Sequence, residues 1–110
     1  MGIPMHWILL MTAGLFEVGF TTALKASEGF TKLTPTLLFI GAAAASFALL
    51  NVSMKHISLG TAYAVFTGIG TVGTAAVGIL VYKEPSGAAR LGFLAIIVVG
   101  IIGLKLVSKS

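Results

Sequence analysis

Glu17 is the only acidic residue inside any of the long apolar stretches of this sequence. It lies eight residues before Lys25, which at 1.5 Å per helical residue places it on the order of 10 Å from the end of its stretch. An ionisable side chain at such depth in hydrocarbon costs about 2.5 kcal/mol or more, and it tends to mark an ion or proton pathway. A carboxyl group there can exchange a proton for a cation. The alternative is a structural role, in which the protonated side chain hydrogen-bonds to a neighbouring helix.

The side chains that share a helical face with Glu17 suit a pocket for a cation. Gly14 lies three residues before it, and Phe20 and Thr21 lie three and four residues after it. Residues at these spacings are neighbours on a helix surface. One stripe therefore offers a small residue, an aromatic ring and a hydroxyl group beside the carboxyl group.

A later apolar stretch repeats this pattern with two rings. Tyr63, Phe66, Thr67 and Gly70 follow one another at helical spacing. Aromatic rings attract incompletely hydrated cations, and a phenol can hydrogen-bond to a carboxylate. An aromatic pair at this spacing is by itself more typical of packing. Together with Glu17 it favours a binding site.

Other small residues in the apolar stretches have two interpretations each. Ser46 either hydrogen-bonds to a carbonyl group of its own helix or reaches the same cavity. Gly68 and Gly70 form either a hinge or a groove for close packing, since glycine inside a helix needs some use to offset its cost. Gly100 and Gly103 indicate a surface for association between helices.

The composition indicates whether these residues belong to a soluble protein or to a membrane protein. Of 110 residues, 57% are hydrophobic and only 9% are charged, whereas a soluble domain carries about 25% charged residues. The sequence has no Cys and two His, which excludes disulfides and thiol chemistry and argues against a metal site. Its basic residues stand singly, so the net charge of +4 does not indicate nucleic-acid binding. The chain is predicted to lie in a membrane.

Four apolar stretches account for nearly all of the sequence. Each is close to the roughly 20 residues that a helix needs to cross hydrocarbon, and none has the alternating polarity of a membrane strand. The short connections predict antiparallel neighbours. We therefore expect an all-α membrane protein, a single domain over residues 1–110, with four transmembrane helices at about 5–24, 34–54, 59–82 and 90–107.

The basic residues do not specify one orientation in the membrane. Four would lie on one side and three on the other: Lys25, Lys32, Lys83 and Arg90 against Lys55, Lys105 and Lys109. Orientation follows the asymmetry of Lys and Arg, so the chain either inserts both ways or has one weakly set orientation. Four helices are too few to enclose an aqueous path. An antiparallel homodimer would supply the missing walls and would reproduce the inverted repeats of larger transporters.

Several of these residues lie in short motifs that together are typical of one known family. Over essentially its whole length the chain resembles the small multidrug resistance family, in Phe16-Glu17-Val18, Ala23-Leu24-Lys25, Gly60-Thr61-Ala62-Tyr63-Ala64-Val65, Thr67-Gly68-Ile69-Gly70 and Gly100-Ile101-Ile102-Gly103-Leu104-Lys105.

The resemblance implies a multi-pass protein of a bacterial-type inner (plasma) membrane that works as an antiparallel, dual-topology dimer without a cofactor. It implies that Glu17 binds protons or substrate in competition, so that proton entry drives the export of small organic cations. It also implies that Tyr63 hydrogen-bonds near the pair of glutamates and that the last helix forms the dimer contact.

Within the family, the chain looks most like the guanidinium-exporter branch. Gly14, Glu17, Ser46, Tyr63 and Lys105 match residues characteristic of that branch. The chain departs from it where Phe20 and Phe66 replace Trp, a change that removes indole donors and adds room. The alternative is therefore a quaternary-ammonium or polyspecific exporter, and Phe66 also resembles members that work as unequal pairs.

Two functions of other classes compete with transport. A structural assembly subunit would not need Glu17, and a passive channel would not need a proton gradient. Enzyme activity is not expected, because no second catalytic group accompanies the lone acid.

Overall fold

A computed structural model describes residues 4–107. Within that range the chain forms four α-helices and no strand, and each helix is long and apolar enough to cross a membrane. The all-α fold class with four membrane spans is thus confirmed. Every helix end lies within two residues of the predicted position. The helices are α1 (Met5–Ala26), α2 (Leu33–Ser53), α3 (Leu59–Leu80) and α4 (Ala88–Val107).

The connection between α1 and α2 is a tight polar turn. The Ser27 hydroxyl donates to the Leu24 carbonyl oxygen at 2.7 Å and accepts from the Phe30 amide at 3.1 Å. Lys32 contacts Glu28 at 2.6 Å, and this hydrogen bond and charge lower the pKa of the Glu28 carboxyl below its ordinary value. Both side chains are exposed, so the pair contributes little to stability.

α1 is the central helix and packs on both α2 and α3. Glycines on α1 and α3 bring these two helices together. A Cβ atom on Gly14 would lie 2.7 Å from Ile69 Cγ2, and one on Gly73 would overlap Val18. Only glycine permits this approach without displacing the facing side chain.

The core of the bundle lies at one end only. It joins the first turns of α1 and α3 to the last turns of α2, and its members are Trp7, Leu10, Ala13, Leu50, Ile57, Ala62, Val65 and Phe66. The opposite end contains the carboxyl-terminal halves of α1 and α3. There the interior is less tightly filled, and this is where a site can form.

The backbone of α4 lies close to α3 alone, and no residue between Ala88 and Val107 is buried. The Lys105 ammonium group of α4 also lies over the ring of Trp7 on α1, 5.1 Å from its centroid. Most of its large side chains are exposed, among them Phe93, Ile96 and Val99. Leu94, Ile97, Ile101 and Leu104 are half-buried. A Cβ atom on Gly100 or Gly103 would meet nothing within 4 Å. In a bilayer this surface faces lipid or another chain.

Candidate binding cavity

A cavity of about 420 Å³ opens between the carboxyl-terminal halves of α1 and α3. Its outer part is formed by the loop that follows α3 and by the first turn of α4. The residues that line it are Glu17, Thr21, Thr22, Lys25, Gly70, Thr71, Thr74, Ala75, Val77, Gly78, Tyr82, Glu84 and Arg90. Hydroxyl and charged groups thus surround a space inside a bundle that is otherwise apolar.

Glu17 lies at the inner part of this cavity, against the backbone of α3. Its carboxyl group rests on Gly70, where an added Cβ atom would overlap the carboxyl atoms. Its Oε1 atom is buried and has no hydrogen-bond partner among residues 4–107. A buried acceptor without a partner costs about 1–3 kcal/mol. Binding a proton or a cation would remove that cost.

Two threonines join α1 to α3 one turn beyond Glu17. The hydroxyl groups of Thr21 and Thr74 are 2.8 Å apart. Thr21 Oγ1 is also 3.0 Å from the carbonyl oxygens of Glu17 and Val18. These hydroxyls form the polar wall of the cavity beside the carboxyl group, and they can offer further acceptors to a cation bound there.

A double-mutant cycle measures what this threonine pair contributes. Thr21→Val and Thr74→Val should each lower the free energy of unfolding, and the two losses should be coupled by about 0.6 kcal/mol and at most about 1.7 kcal/mol, as for other hydrogen bonds between membrane helices. The measurement is denaturant unfolding of the reconstituted protein. Thr12→Val is the matched control, since the Thr12 hydroxyl bonds only to its own helix at Ile8. Strict additivity of Thr21→Val and Thr74→Val would contradict the bond.

Charged and aromatic side chains surround the cavity mouth. The Lys25 ammonium lies over the Tyr82 ring, 4.9 Å from its centroid. Arg90 Nη2 lies 3.0 Å from Glu84 Oε1, and Arg90 Nη1 donates to the Pro85 carbonyl oxygen at 2.7 Å. Two cationic side chains and one carboxylate therefore lie between the aqueous phase and Glu17.

A ladder of rings lies apart from the cavity, between α1, α2 and α3. Phe47 connects Phe20 to Phe66, with centroids 5.8 Å apart in both pairs, and Phe66 continues to Tyr63 at 6.0 Å. Phe39 packs edge-on against Phe20 at 5.9 Å. None of these rings lines the cavity. Edge-on and tilted contacts of this kind stabilise helix packing.

Comparison with known proteins assigns the chain to a family. The family model described as Small Multidrug Resistance protein matches residues 5–97. The chain belongs to the small multidrug resistance family. A guanidinium exporter of Proteus vulgaris is 51% identical over 104 residues, which cover 94% of this chain and all of the relative. A guanidinium exporter of Citrobacter freundii is 52% identical over 102 residues, 93% of this chain and 97% of the relative.

Membership of the small multidrug resistance family confirms three predictions made from the sequence. The first is the resemblance itself, and the second is a transporter built from four membrane spans. The third is the location, since four spans and exporters from bacteria as relatives place this family member in the inner membrane as a multi-pass protein.

The structure brings together some of the predicted site residues of this family member. Glu17 and Thr21 both line the cavity, and their role in binding a cation stays a prediction. Gly70 also lines it, and forms the surface on which the Glu17 carboxyl rests. α3 continues as a helix through Gly68 and Gly70. Gly68 packs closely on α4, with Ile101 Cδ1 2.8 Å from an added Cβ atom. This contact is of the kind expected for a packing groove, and the hinge stays a prediction.

The other predicted site residues lie outside the cavity of this single chain. The Ser46 hydroxyl donates to the Ala13 carbonyl oxygen at 2.8 Å, between α2 and α1. Gly14 is buried against Ile69. Phe20 and Phe66 belong to the ring ladder, and Tyr63 at its end is 54% exposed. An exposed Tyr63 is accessible to a second chain.

Several cavity residues were missed by reasoning from the sequence. Thr71 and Thr74 continue the spacing of Thr67 along α3 and line the cavity. This stripe of hydroxyl groups in an apolar helix indicates a polar face and can be found from the sequence. Glu84 and Arg90 come from a loop and a helix start, where no periodicity indicates direction. Only the folded loop places them at the cavity.

Proposed function

We propose that this protein is a proton-coupled antiporter that exports small organic cations, with guanidinium and guanidinyl compounds as the first choice of substrate. The observation that carries the proposal is the unpartnered Glu17 Oε1 atom in a hydroxyl-lined cavity inside a membrane bundle. The relatives named guanidinium exporter support the choice of substrate. Neither binding nor export requires covalent chemistry or a cofactor.

Coupling follows from the use of one carboxyl group by two ligands. A deprotonated Glu17 attracts a cation, and a protonated Glu17 has lost that attraction. Occupancy by a proton and by a cation is therefore mutually exclusive. Exchange at the two Glu17 carboxyl groups of the proposed dimer moves one cation outward as two protons enter, and the net charge that crosses the membrane gives a current.

The chemistry of the cavity favours a guanidinium ion over a quaternary ammonium ion. Guanidinium presents planar N–H donors that match carboxylate oxygens in a fork. The remaining donors can reach hydroxyl groups such as Thr21 and Thr74, which line the same space. A quaternary ammonium has no donor and depends on aromatic faces. Phe20 and Phe66 pack on other rings instead of facing this cavity.

The working unit that we propose is an antiparallel homodimer. The Tyr63 side chain and most of the α4 surface are exposed in the single chain. Pairing through Gly100 and Gly103 would cover part of α4, and a second copy would bring another Glu17 and another Tyr63 toward a shared space. Two chains inserted in opposite directions form an inverted repeat, the arrangement that permits alternating access. The nearly even Lys and Arg balance is compatible with such insertion.

The substrate assignment is tested by transport currents from the purified protein in liposomes. We expect guanidinium to give a current at least tenfold larger than tetramethylammonium at equal concentration, and a pH gradient to drive guanidinium uptake. Currents of equal size would favour the polyspecific alternative. If neither ion gave a current, the homodimer would be wrong, and an unequal partner chain would then have to be supplied.

A further inference from the structure

The loop between α3 and α4 already binds a guanidinium group, that of Arg90. One nitrogen lies 3.0 Å from Glu84 Oε1, and the other donates to the Pro85 carbonyl oxygen at 2.7 Å. A carboxylate and a carbonyl thus accept from two nitrogens of the same planar group. Guanidinium is recognised by this pairing of acceptors, whichever molecule carries it.

This binding arrangement lies at the entrance to the Glu17 cavity. Glu84 and Arg90 both line that cavity. The Glu84 carboxyl group folds over Gly78, and the Glu84 amide donates to the Gly78 carbonyl oxygen at 3.0 Å. The side chains of Arg90 and Glu84 remain 36% and 42% exposed, so solutes can reach them. A cation that enters from this end meets Glu84 before Glu17.

Arg90 does not use all of the acceptors of Glu84. Its contact is with Oε1, and Oε2 has no hydrogen-bond partner in the part of the chain that the structure describes. An incoming cation can therefore begin to bind at Oε2 while Arg90 still holds Oε1. Such a stepwise exchange would not leave the carboxylate without a partner at any stage.

We propose that Glu84 and the Pro85 carbonyl form an outer guanidinium-binding site, and that Arg90 is its tethered competitor. A free guanidinium ion presents the same N–H donors as Arg90 and can take its place on the same two acceptors. A tetraalkylammonium ion has no N–H donor and does not. The proposal rests on the proposed function for the use of this site, which is to pass guanidinium between water and Glu17.

The tether determines how tightly the outer site binds. Arg90 lies in the first turn of α4, directly after the same loop, so its side chain competes at a high effective concentration. The apparent Kd is the intrinsic Kd divided by the fraction of molecules in which Arg90 is displaced. If that fraction is about one in ten, removal of Arg90 should tighten guanidinium binding about tenfold. Weak binding suits a site from which the cation must move on.

Binding to the outer site can be measured without the inner carboxylate. Guanidinium chloride at constant ionic strength is titrated into the full-length Glu17→Gln protein, alone and combined with Arg90→Ala, Glu84→Gln or Lys55→Ala. Arg90→Ala should tighten binding about tenfold and Glu84→Gln should abolish it, whereas Lys55→Ala, at the other end of the bundle, should leave it unchanged. Equal guanidinium binding with and without Glu84→Gln would overturn the proposal.

A second measurement uses the backbone amide of Glu84, which is bonded to Gly78. Hydrogen exchange at this amide should be faster in Arg90→Lys, which keeps the charge but loses the planar fork, and millimolar guanidinium should slow it again. Tetramethylammonium at the same concentration should not. Equal protection by the two ions, or by neither, would overturn the outer site. Because this readout needs no transport, it separates failure of this proposal from failure of the proposed function.

Discussion

Replacement of Glu17 by Gln should abolish proton-driven guanidinium transport and leave the bundle folded. Gln keeps the shape of the side chain but cannot exchange a proton or pair with a cation. Truncating one partner of a buried charge pair costs about 2–5 kcal/mol, so we expect guanidinium affinity to fall at least thirtyfold. The measurement is transport current in liposomes together with equilibrium binding of guanidinium.

The control for this experiment is Glu28→Gln. Glu28 is an exposed acid in the first loop, where it pairs with Lys32, so its loss should leave transport unchanged. Thermal unfolding of both variants should match that of the parent protein. Proton-driven uptake that survived Glu17→Gln would show that the carboxyl group at this position does not couple the two ions, and the site would have to be sought elsewhere.

The helices and the central acid could be predicted because each rests on a local pattern. An apolar run of about 20 residues predicts a membrane helix whatever surrounds it. Glu17 stands out for the same reason, as the acid in such a run, and Thr21 follows one turn later on the same face. The structure adds the partner of that face, which is the glycine and threonine surface of α3.

What could not be predicted depends on contacts between helices and on loop conformation. Spacing places Phe20 on the same helix face as Glu17, yet the ring turns toward Phe39 and Phe47 of α2. Ser46 likewise had two interpretations, and the contact with Ala13 on a different helix was neither. The sequence of a helix shows which residues share a face. It does not show which neighbouring helix each side chain contacts.

The contacts of the loop at the cavity mouth could not be predicted from the sequence either. Glu84 reaches Arg90 because the chain turns sharply at Lys83, whose φ angle is +56°. Non-glycine residues rarely adopt this left-handed conformation, and nothing in the spacing of Glu84 and Arg90 indicates it. A pair six residues apart across a turn is therefore visible only in the folded chain.

The second large effect is expected from Gly70→Ala. A Cβ atom at this position would occupy the place of the Glu17 carboxyl group. The carboxyl group is the far end of a flexible side chain, so it should move while the two helices stay packed. Alanine also favours a helix over glycine by about 1 kcal/mol, so the free energy of unfolding should not fall. Displacement of a functional group by about 1 Å can cost on the order of a hundredfold in rate, and we expect a loss of transport between about tenfold and a hundredfold.

Gly41→Ala is the matched control, because the same methyl group added there would meet nothing within 4 Å. Transport current and thermal stability are measured for both variants. A loss of transport in Gly70→Ala with stability retained, and no loss in Gly41→Ala, would mean that the position of the Glu17 carboxyl group matters and not merely its presence. Full transport by Gly70→Ala would mean that the carboxyl group works in a place other than the surface of Gly70. The cavity between α1 and α3 would then be a passage beside the binding site and not the site itself.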